Sequence, residues 1–175
     1  VTLNGVPLKG DFAKKLTELF ARDEPYDHLL NFYLNLAKCP SRHIYDNLFK
    51  LVSQSHMEIT KDGRVVAYRR VNSDYMDPRT GTINNAPGER PTIPYHEVDP
   101  DYNNICSRGL HICAPHYLNA SGYGSSHGAR VIKVHVEPRD FVAIPNDYNF
   151  TKARVCGYSV VEDITDDFNA GKYKT

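Results

Sequence analysis

The sequence predicts an α+β domain in which a helical N-terminal subdomain packs on a bent, mostly antiparallel β-sheet with long loops. Three observations support this prediction. Apolar residues recur at helical spacing through residues 10–56, later segments alternate apolar and polar residues as strands do, and 175 residues suit one domain or two small ones that share a core. We therefore divide the chain into residues 1–56, the helical subdomain, and residues 57–175, the β-rich domain.

Three helices are expected in the first part. Asp11 is placed to cap the first helix, and Pro25 opens the second, which is apolar on most of its sides. The second helix ends before Pro40, because proline disfavours the helical conformation in the residue that precedes it. Ser41 then caps the third helix.

Three short helices with tight connections are also typical of a DNA-reading module. In this chain the third helix and its flank carry only Arg42 and Lys50 as basic residues, so few phosphates would be neutralised. Packing of these helices against the rest of the domain is the favoured interpretation.

A β-hairpin is predicted at the start of the second part. Residues 57–60 and 64–71 flank a Lys61–Asp62–Gly63 turn. In the second arm, alternation places Arg69 on the face that carries three small apolar residues. We expect this buried arginine to have an anionic partner, since an unpaired buried charge is costly.

The rest of the chain alternates long loops with short elements. Residues 72–108 show no sustained helical or strand periodicity of apolar residues. A long irregular stretch of this kind inside a domain is usually functional or mobile. We expect a frayed acidic tail from Asp163 onward. The predicted elements are a strand over residues 106–113 entered through Gly109, a helix over 114–122, and strands over 130–136, 141–144 and 155–162.

Composition excludes several classes of protein. The chain is 41% hydrophobic, which is enough to form a core. It carries 21 basic and 21 acidic side chains, so it has no net charge that would attract nucleic acid or anionic lipid. No apolar run is long enough to cross a bilayer, and no secretory signal is visible. Four cysteines without a framework pattern predict a reduced, cytoplasmic setting. The start at Val1 predicts a processed chain or a fragment of a longer one.

Several motifs together resemble the rIIB-like proteins of tailed bacteriophages. They are Thr60-Lys-Asp-Gly-Arg-Val-Val-Ala-Tyr-Arg-Arg-Val, Cys106-Ser-Arg-Gly-Leu-His-Ile-Cys, Val131-Ile-Lys-Val-His-Val-Glu-Pro-Arg-Asp and Ile144-Pro-Asn-Asp-Tyr-Asn-Phe-Thr-Lys-Ala-Arg-Val-Cys-Gly-Tyr. Their order and spacing agree over roughly residues 40–162. The resemblance implies an accessory role in lysis control or in overcoming a host response, without a settled biochemical activity.

The layout is also similar to that of ADP-ribosyltransferase domains, which bind NAD between two small sheets. That similarity implies an early-strand role for Arg69 or His111 and a stacking role for Tyr117 or Tyr123. Transferase chemistry needs a carboxylate before the final strand, where residues 152–154 read Lys-Ala-Arg instead. A glutamate of the long loop would have to replace it.

We expect functional side chains to converge from distant parts of the sequence on a cationic pocket for phosphate, carboxylate or an acidic surface. The alternative is that these cations pair with Asp140, Asp147 or Glu162 and merely hold loops together. The predicted ligand-binding residues are Arg69, His111, Tyr148, Asn149, Lys152 and Arg154, with Arg70 beside them.

Cysteine chemistry offers two further readings. Cys106, His111 and Cys113, with His135 or Cys156, would suffice for zinc, but the spacing is not that of common zinc motifs and buried structural thiols are favoured. Cys106 as a nucleophile with His111 as its base requires a third group that orients the histidine. We therefore predict no metal, no cofactor and no catalytic residue.

The preferred function is a non-enzymatic phage accessory protein that binds a host or phage protein, or an anionic small molecule or nucleotide, in the cytoplasm of the infected bacterium. Two alternatives remain open: an active or degenerate ADP-ribosyltransferase-like enzyme, and a structural component of the virion. Self-association is compatible with each of them.

Overall fold

A computed structural model describes residues 2–8, 10–121, 126–147, 149 and 151–173 of the chain. Among these residues, α-helices and a six-stranded antiparallel sheet confirm the α+β class. The elements in chain order are β1 (Thr2–Leu3), β2 (Val6–Pro7), α1 (Gly10–Ala21), α2 (Asp27–Leu36), α3 (Arg42–Gln54), β3 (Val65–Val71), β4 (Leu110–Cys113), α4 (Pro115–Ser121), β5 (Arg130–Val136), β6 (Phe141–Ala143), β7 (Lys152–Val155), β8 (Ser159–Asp163) and α5 (Thr165–Asn169).

The three N-terminal helices form where the apolar period predicts them. The Ser41 hydroxyl accepts a hydrogen bond from the backbone N–H of Ile44 at 3.2 Å, so its predicted capping role is confirmed. The predicted cap at Asp11 is wrong, because this residue lies inside the first turn of α1. Its negative charge still complements the positive end of the helix there.

The main sheet has the strand order β6-β7-β4-β3-β5-β8, and every pairing is antiparallel. β3 is central and pairs with β5 along its whole length, from Val65 opposite Val136 to Val71 opposite Arg130. Its pairing with β4 is confined to Tyr68 opposite Cys113. The sheet is therefore continuous on one side of β3 and opens on the other.

Three predicted elements need correction. The first arm of the hairpin is reduced to one bridge between Ile59 and Val65, because β3 pairs with β4 and β5 instead. The expected strand over residues 155–162 is two strands, since Gly157 forms a separate bridge with Thr92. The expected frayed tail is α5, which buries Phe168 against the sheet.

The sheet separates two apolar layers. Val65, Ala67 and Val71 of β3 face the large core, which contains buried residues of α1, α2 and α3 together with residues of all six strands of the main sheet. Val66 and Tyr68 face a smaller layer closed by α4 and α5. Residues from both predicted domains thus contribute to one core, while the boundary at residues 56–57 stays a prediction.

Two buried polar side chains order the first part of the long loop. The Asp77 carboxylate accepts hydrogen bonds from the backbone N–H groups of Thr80, Thr82 and Ile83 and from the Thr80 hydroxyl. The fully buried Asn85 amide donates to the carbonyl oxygens of Tyr75 and Ile83. The loop has few regular elements because these side chains replace backbone pairing.

Among the described helices, none combines the length and apolar character needed to cross a bilayer.

Candidate functional site

The point where β3 and β4 separate creates a small cavity on the face of the sheet that α4 covers. It has a volume of about 30 Å³, enough for one or two water molecules. We call it the cationic cleft because most of its polar wall is basic; the lining polar residues are Arg69, Arg70, Cys106, His111 and Lys152, and the apolar wall includes Ile112, Tyr117 and Leu118.

Strand register explains how distant residues meet there. Cys113 of β4 lies opposite Lys152 of β7, and His111 lies opposite Arg154, so these four side chains share one face. Arg69 reaches the cleft through the gap beyond the last β3–β4 pair, where its Nη1 donates to the His111 carbonyl oxygen at 3.5 Å. The structure thus brings together three predicted site residues: Arg69, His111 and Lys152.

Among the described residues, the groups that hydrogen-bond to Arg69 are neutral. Besides the His111 carbonyl, its guanidinium contacts the Tyr158 hydroxyl, and no carboxylate pairs with it among the described residues. The expectation of an anionic partner is therefore wrong within the described part of the chain. Tyr158 in turn donates to the Asn85 side chain and so connects the cleft to the ordered loop.

His111 is held in one orientation and kept neutral. Its Nε2 lies 2.7 Å from the Ser107 carbonyl oxygen, which requires the proton to be on Nε2 and leaves Nδ1 as an acceptor. Burial, together with the nearby charges of Arg69, Arg154 and Lys152, lowers the His111 pKa to about 4. At neutral pH His111 is therefore a weak base that adds no charge to the cleft.

Lys152 is buried beside a carboxylate. Its Nζ lies 2.8 Å from Asp147 Oδ2, so the two side chains form a close ion pair. Burial acts to lower the Lys152 pKa, and the partnership with Asp147 outweighs it, so the net shift is upward. Nζ also lies 5.6 Å from the centre of the Tyr117 ring. A cation paired with Asp147 is what the alternative interpretation of these residues predicts. Of the two cations of β7, Lys152 has this pairing.

Arg154 lies behind the cleft and is fully buried. Its guanidinium donates to three backbone carbonyl oxygens of one loop: Asp99 at 3.0 Å, Asp101 at 2.6 Å and Asn104 at 2.6 Å. Burial lowers its pKa from the ordinary value, partly opposed by carboxylates of the same loop. These contacts make Arg154 a positioning residue for the loop that leads to Cys106.

The remaining predicted site residues do not line the cleft. Asn149 is exposed and has a positive φ of 55°, as expected for a turn that tolerates the left-handed region. Tyr148 lies outside the described residues, as does Tyr123, for which a stacking role was considered. Arg70 and Cys106 also line the cleft. Each belongs to the same sequence motif as a predicted site residue, Arg70 with Arg69 and Cys106 with His111.

No acid–base pair is assembled in the cleft. None of the described residues that line it carries a carboxylate, and Glu97 pairs with Arg108 at 2.7 Å instead. His111 and Cys106 are not joined by a hydrogen bond among the described contacts. The described residues also contain no group of three or more metal-ligating side chains.

A larger groove lies among the helices. Its volume is about 660 Å³, and its basic residues Lys14 and Lys15 are balanced by Asp11, Glu18 and Glu58. Because these charges offset one another, this groove offers no comparable field for a charged ligand. No sequence pattern predicted this groove.

The family comparisons agree with the motifs. The model described as Bacteriophage T4 protein rIIB matches residues 4–170. The chain is similar to Protein rIIB of Enterobacteria phage T4, with 37% identity over 163 residues that cover 93% of this chain and 51% of the relative. The chain thus spans about half the length of that curated protein. No solved structure is significantly similar to this chain.

Proposed function

Because this chain belongs to the family of the bacteriophage T4 protein rIIB, we propose that it is a phage accessory protein that acts by binding an anionic group in the cationic cleft. The single observation that carries the proposal is the state of Arg69. Its guanidinium lies at a cavity with only neutral described partners, so an entering anion gains a charge-assisted hydrogen bond without first displacing a carboxylate.

The size of the cavity limits the ligand. A volume of about 30 Å³ accepts a carboxylate or the edge of a phosphate, and any remaining part of the ligand lies outside. The end of an anionic metabolite, the phosphate of a nucleotide or an acidic side chain of a host or phage protein meets this requirement. Such binding in the host cytoplasm would serve to blunt a host response or to modulate lysis.

Binding without turnover is favoured over group transfer. A transferase needs a carboxylate that polarises the attacking group, and neither Glu89 nor Glu97 lines the cleft. His111, whose pKa is lowered to about 4, is neutral at pH 7 and does not supply the negative charge of that carboxylate. An ADP-ribosyltransferase-like activity is the second candidate, supported by the resemblance in layout alone.

The proposal is tested by the thermal stability of the chain in inorganic phosphate at constant ionic strength. Phosphate at tenfold its dissociation constant stabilises the folded chain by about 1.4 kcal/mol, which raises Tm by roughly 3–5 °C. Arg69→Gln should abolish this shift. Arg42→Gln is the matched control, because Arg42 is an exposed arginine on α3 paired with Asp46.

Two results contradict the proposal. One is the absence of a saturable shift with phosphate, acetate or NAD, and the other is a shift that Arg69→Gln retains. Product formation from NAD would instead support the transferase candidate, so the same incubations are analysed for product.

A further inference from the structure

The N-terminal part of the chain carries an uncharged hollow that is separate from the cationic cleft. The hollow has a volume of about 360 Å³ and lies among β1, α1 and the start of α2, on the helical side of the sheet. We call it the Phe20 hollow; its lining includes Leu3, Leu16, Thr17, Phe20, Tyr26 and Leu30. None of the described residues that line it is charged.

An exposed aromatic side chain stands at the edge of this hollow. Phe20 is 71% exposed, the largest value among the large apolar side chains that the structure describes, and its ring centre lies 6.1 Å from that of Tyr26. Leu34, which is 45% exposed, follows Leu30 by one turn of α2 and extends the apolar surface. An apolar cavity of about 150 Å³ holds benzene, so the hollow has room for a phenyl ring. The same face therefore presents both an aromatic side chain and a space that such a side chain fits.

The polar groups beside the hollow have partners within the chain. The Thr17 hydroxyl donates to the Ala13 carbonyl oxygen at 2.8 Å, so it needs no acceptor from outside. Arg22 and Glu24, which follow Phe20 in the chain, lie 4.0 Å from each other and remain exposed. An apolar centre with a polar rim is the usual anatomy of a protein interface.

β1 adds an open strand edge to this surface. It pairs with β2 in a two-stranded sheet that contains no further strand among the described residues. Both residues of β1, Thr2 and Leu3, line the hollow. An open edge offers backbone N–H and C=O groups to another polypeptide, whereas in lipid the same groups would stay unpaired at a high cost. A protein occupant is therefore favoured over a bilayer.

We propose that the Phe20 hollow is the contact surface of a symmetric dimer of this chain, in which Phe20 of each copy enters the hollow of the other. A twofold axis brings one surface against itself, so a surface that carries both the inserted ring and the receiving hollow is complementary to its own copy. Residues near the axis meet their own counterparts, and a charged lining would place like charges together. The uncharged lining avoids this repulsion, whereas the two larger grooves among the helices carry several charges.

The association is measured by sedimentation equilibrium. The contact is small compared with the ~1,600 Å² of a stable complex, so we expect a dissociation constant of roughly 10 μM to 1 mM. Phe20→Ser acts twice in each dimer and should raise this constant by about thirtyfold or more. Val161→Ser is the matched control and should leave it unchanged, because Val161 is a 42% exposed apolar side chain on β8. An apolar contact is not screened, so raising salt from about 0.05 to 0.5 M should weaken it less than about threefold.

A second measurement uses the unaltered chain and does not depend on the folding of a variant. An equal mixture of ¹³C-labelled and unlabelled chains is examined for nuclear Overhauser effects between copies. We expect contacts from the Phe20 ring of one copy to the methyl groups of Leu3 or Leu30 of the other.

Three results overturn the proposal. They are a chain that stays monomeric up to about 1 mM, a dimer that Phe20→Ser leaves intact, and a dimer without contacts between copies at Phe20. A monomer that sediments with phosphatidylcholine vesicles through Phe20 would assign the hollow to lipid and overturn it as well. The phosphate shift of the cleft is measured separately, so the loss of the dimer proposal would leave the proposed function unaffected.

Discussion

Replacing Arg154 with methionine tests whether a buried charge holds an exposed loop. Methionine keeps much of the volume of the side chain and removes its five N–H donors. In the native chain the guanidinium is fully buried and donates to three carbonyl oxygens at 3.0, 2.6 and 2.6 Å. The substitution therefore removes the hydrogen bonds that connect β7 to residues 99–104.

The expected loss of unfolding free energy is about 3 kcal/mol. Hydrogen bonds to a charged group contribute roughly 1.5–3 kcal/mol each, so three of them set an upper limit well above this value. Two effects reduce it: the loop carbonyls become hydrated once they are released, and removal of the cation eliminates its desolvation cost. For a chain of this length, 3 kcal/mol corresponds to a decrease in Tm of roughly 6–12 °C.

The assay combines denaturant unfolding with amide hydrogen exchange. Arg154→Met should lose stability and exchange faster over residues 99–107, while Arg42→Met, at a side chain that is 84% exposed, should change stability by less than about 0.5 kcal/mol. Arg154→Lys should lose nearly as much as methionine, because an ammonium group lacks the planar fork. Stability within about 0.5 kcal/mol of the native chain, with unchanged exchange in this loop, would refute the argument.

Three further predictions concern stability. Burial acts to raise the Asp77 pKa, but hydrogen bonds from its own loop outweigh burial and lower the pKa to about 2. Asp77→Asn should therefore reduce the free energy of unfolding by about 2–3 kcal/mol at neutral pH, as measured by denaturant titration. The contribution of Asp77 is complete above its ordinary pKa near 4 and is lost as the pH falls towards 2. Burial lowers the His111 pKa from 6.5 to about 4, so the native chain should lose up to about 3 kcal/mol between pH 6.5 and 4, and His111→Gln should flatten that pH profile. Gly63→Ala should cost more than about 3 kcal/mol in unfolding experiments, because a Cβ would lie 2.3 Å from the Phe32 nitrogen at a φ of +87°, whereas Gly81→Ala, in open space at +68°, should cost only about 1 kcal/mol. Equal losses at the two glycines, a flat native pH profile, or a neutral Asp77→Asn would each contradict the corresponding argument.

Local sequence patterns predicted correctly those helices and strands whose bounds depend only on residues near them in the sequence. Ser41 caps α3 because its hydroxyl needs only the third residue that follows it. The strand over residues 130–136 has its predicted bounds because apolar and polar residues alternate throughout it. The predicted strand over 155–162 was wrong because its interruption at Gly157 depends on Thr92, a residue far away in the sequence.

The sequence by itself determined the helical and strand-rich halves, the phage family and the types of residue in the candidate site. Alternation also placed Val65, Ala67 and Val71 on one face, as they are in the structure, because side chains of a strand alternate whatever its neighbours are. Only the tertiary structure decided which cations line the cleft. The β4–β7 register places both Lys152 and Arg154 on one face, yet Lys152 meets Asp147 at the cleft while Arg154 lies beneath the 99–104 loop. Periodicity fixes the face on which a side chain lies, whereas its partners depend on which strands and loops become neighbours when the chain folds.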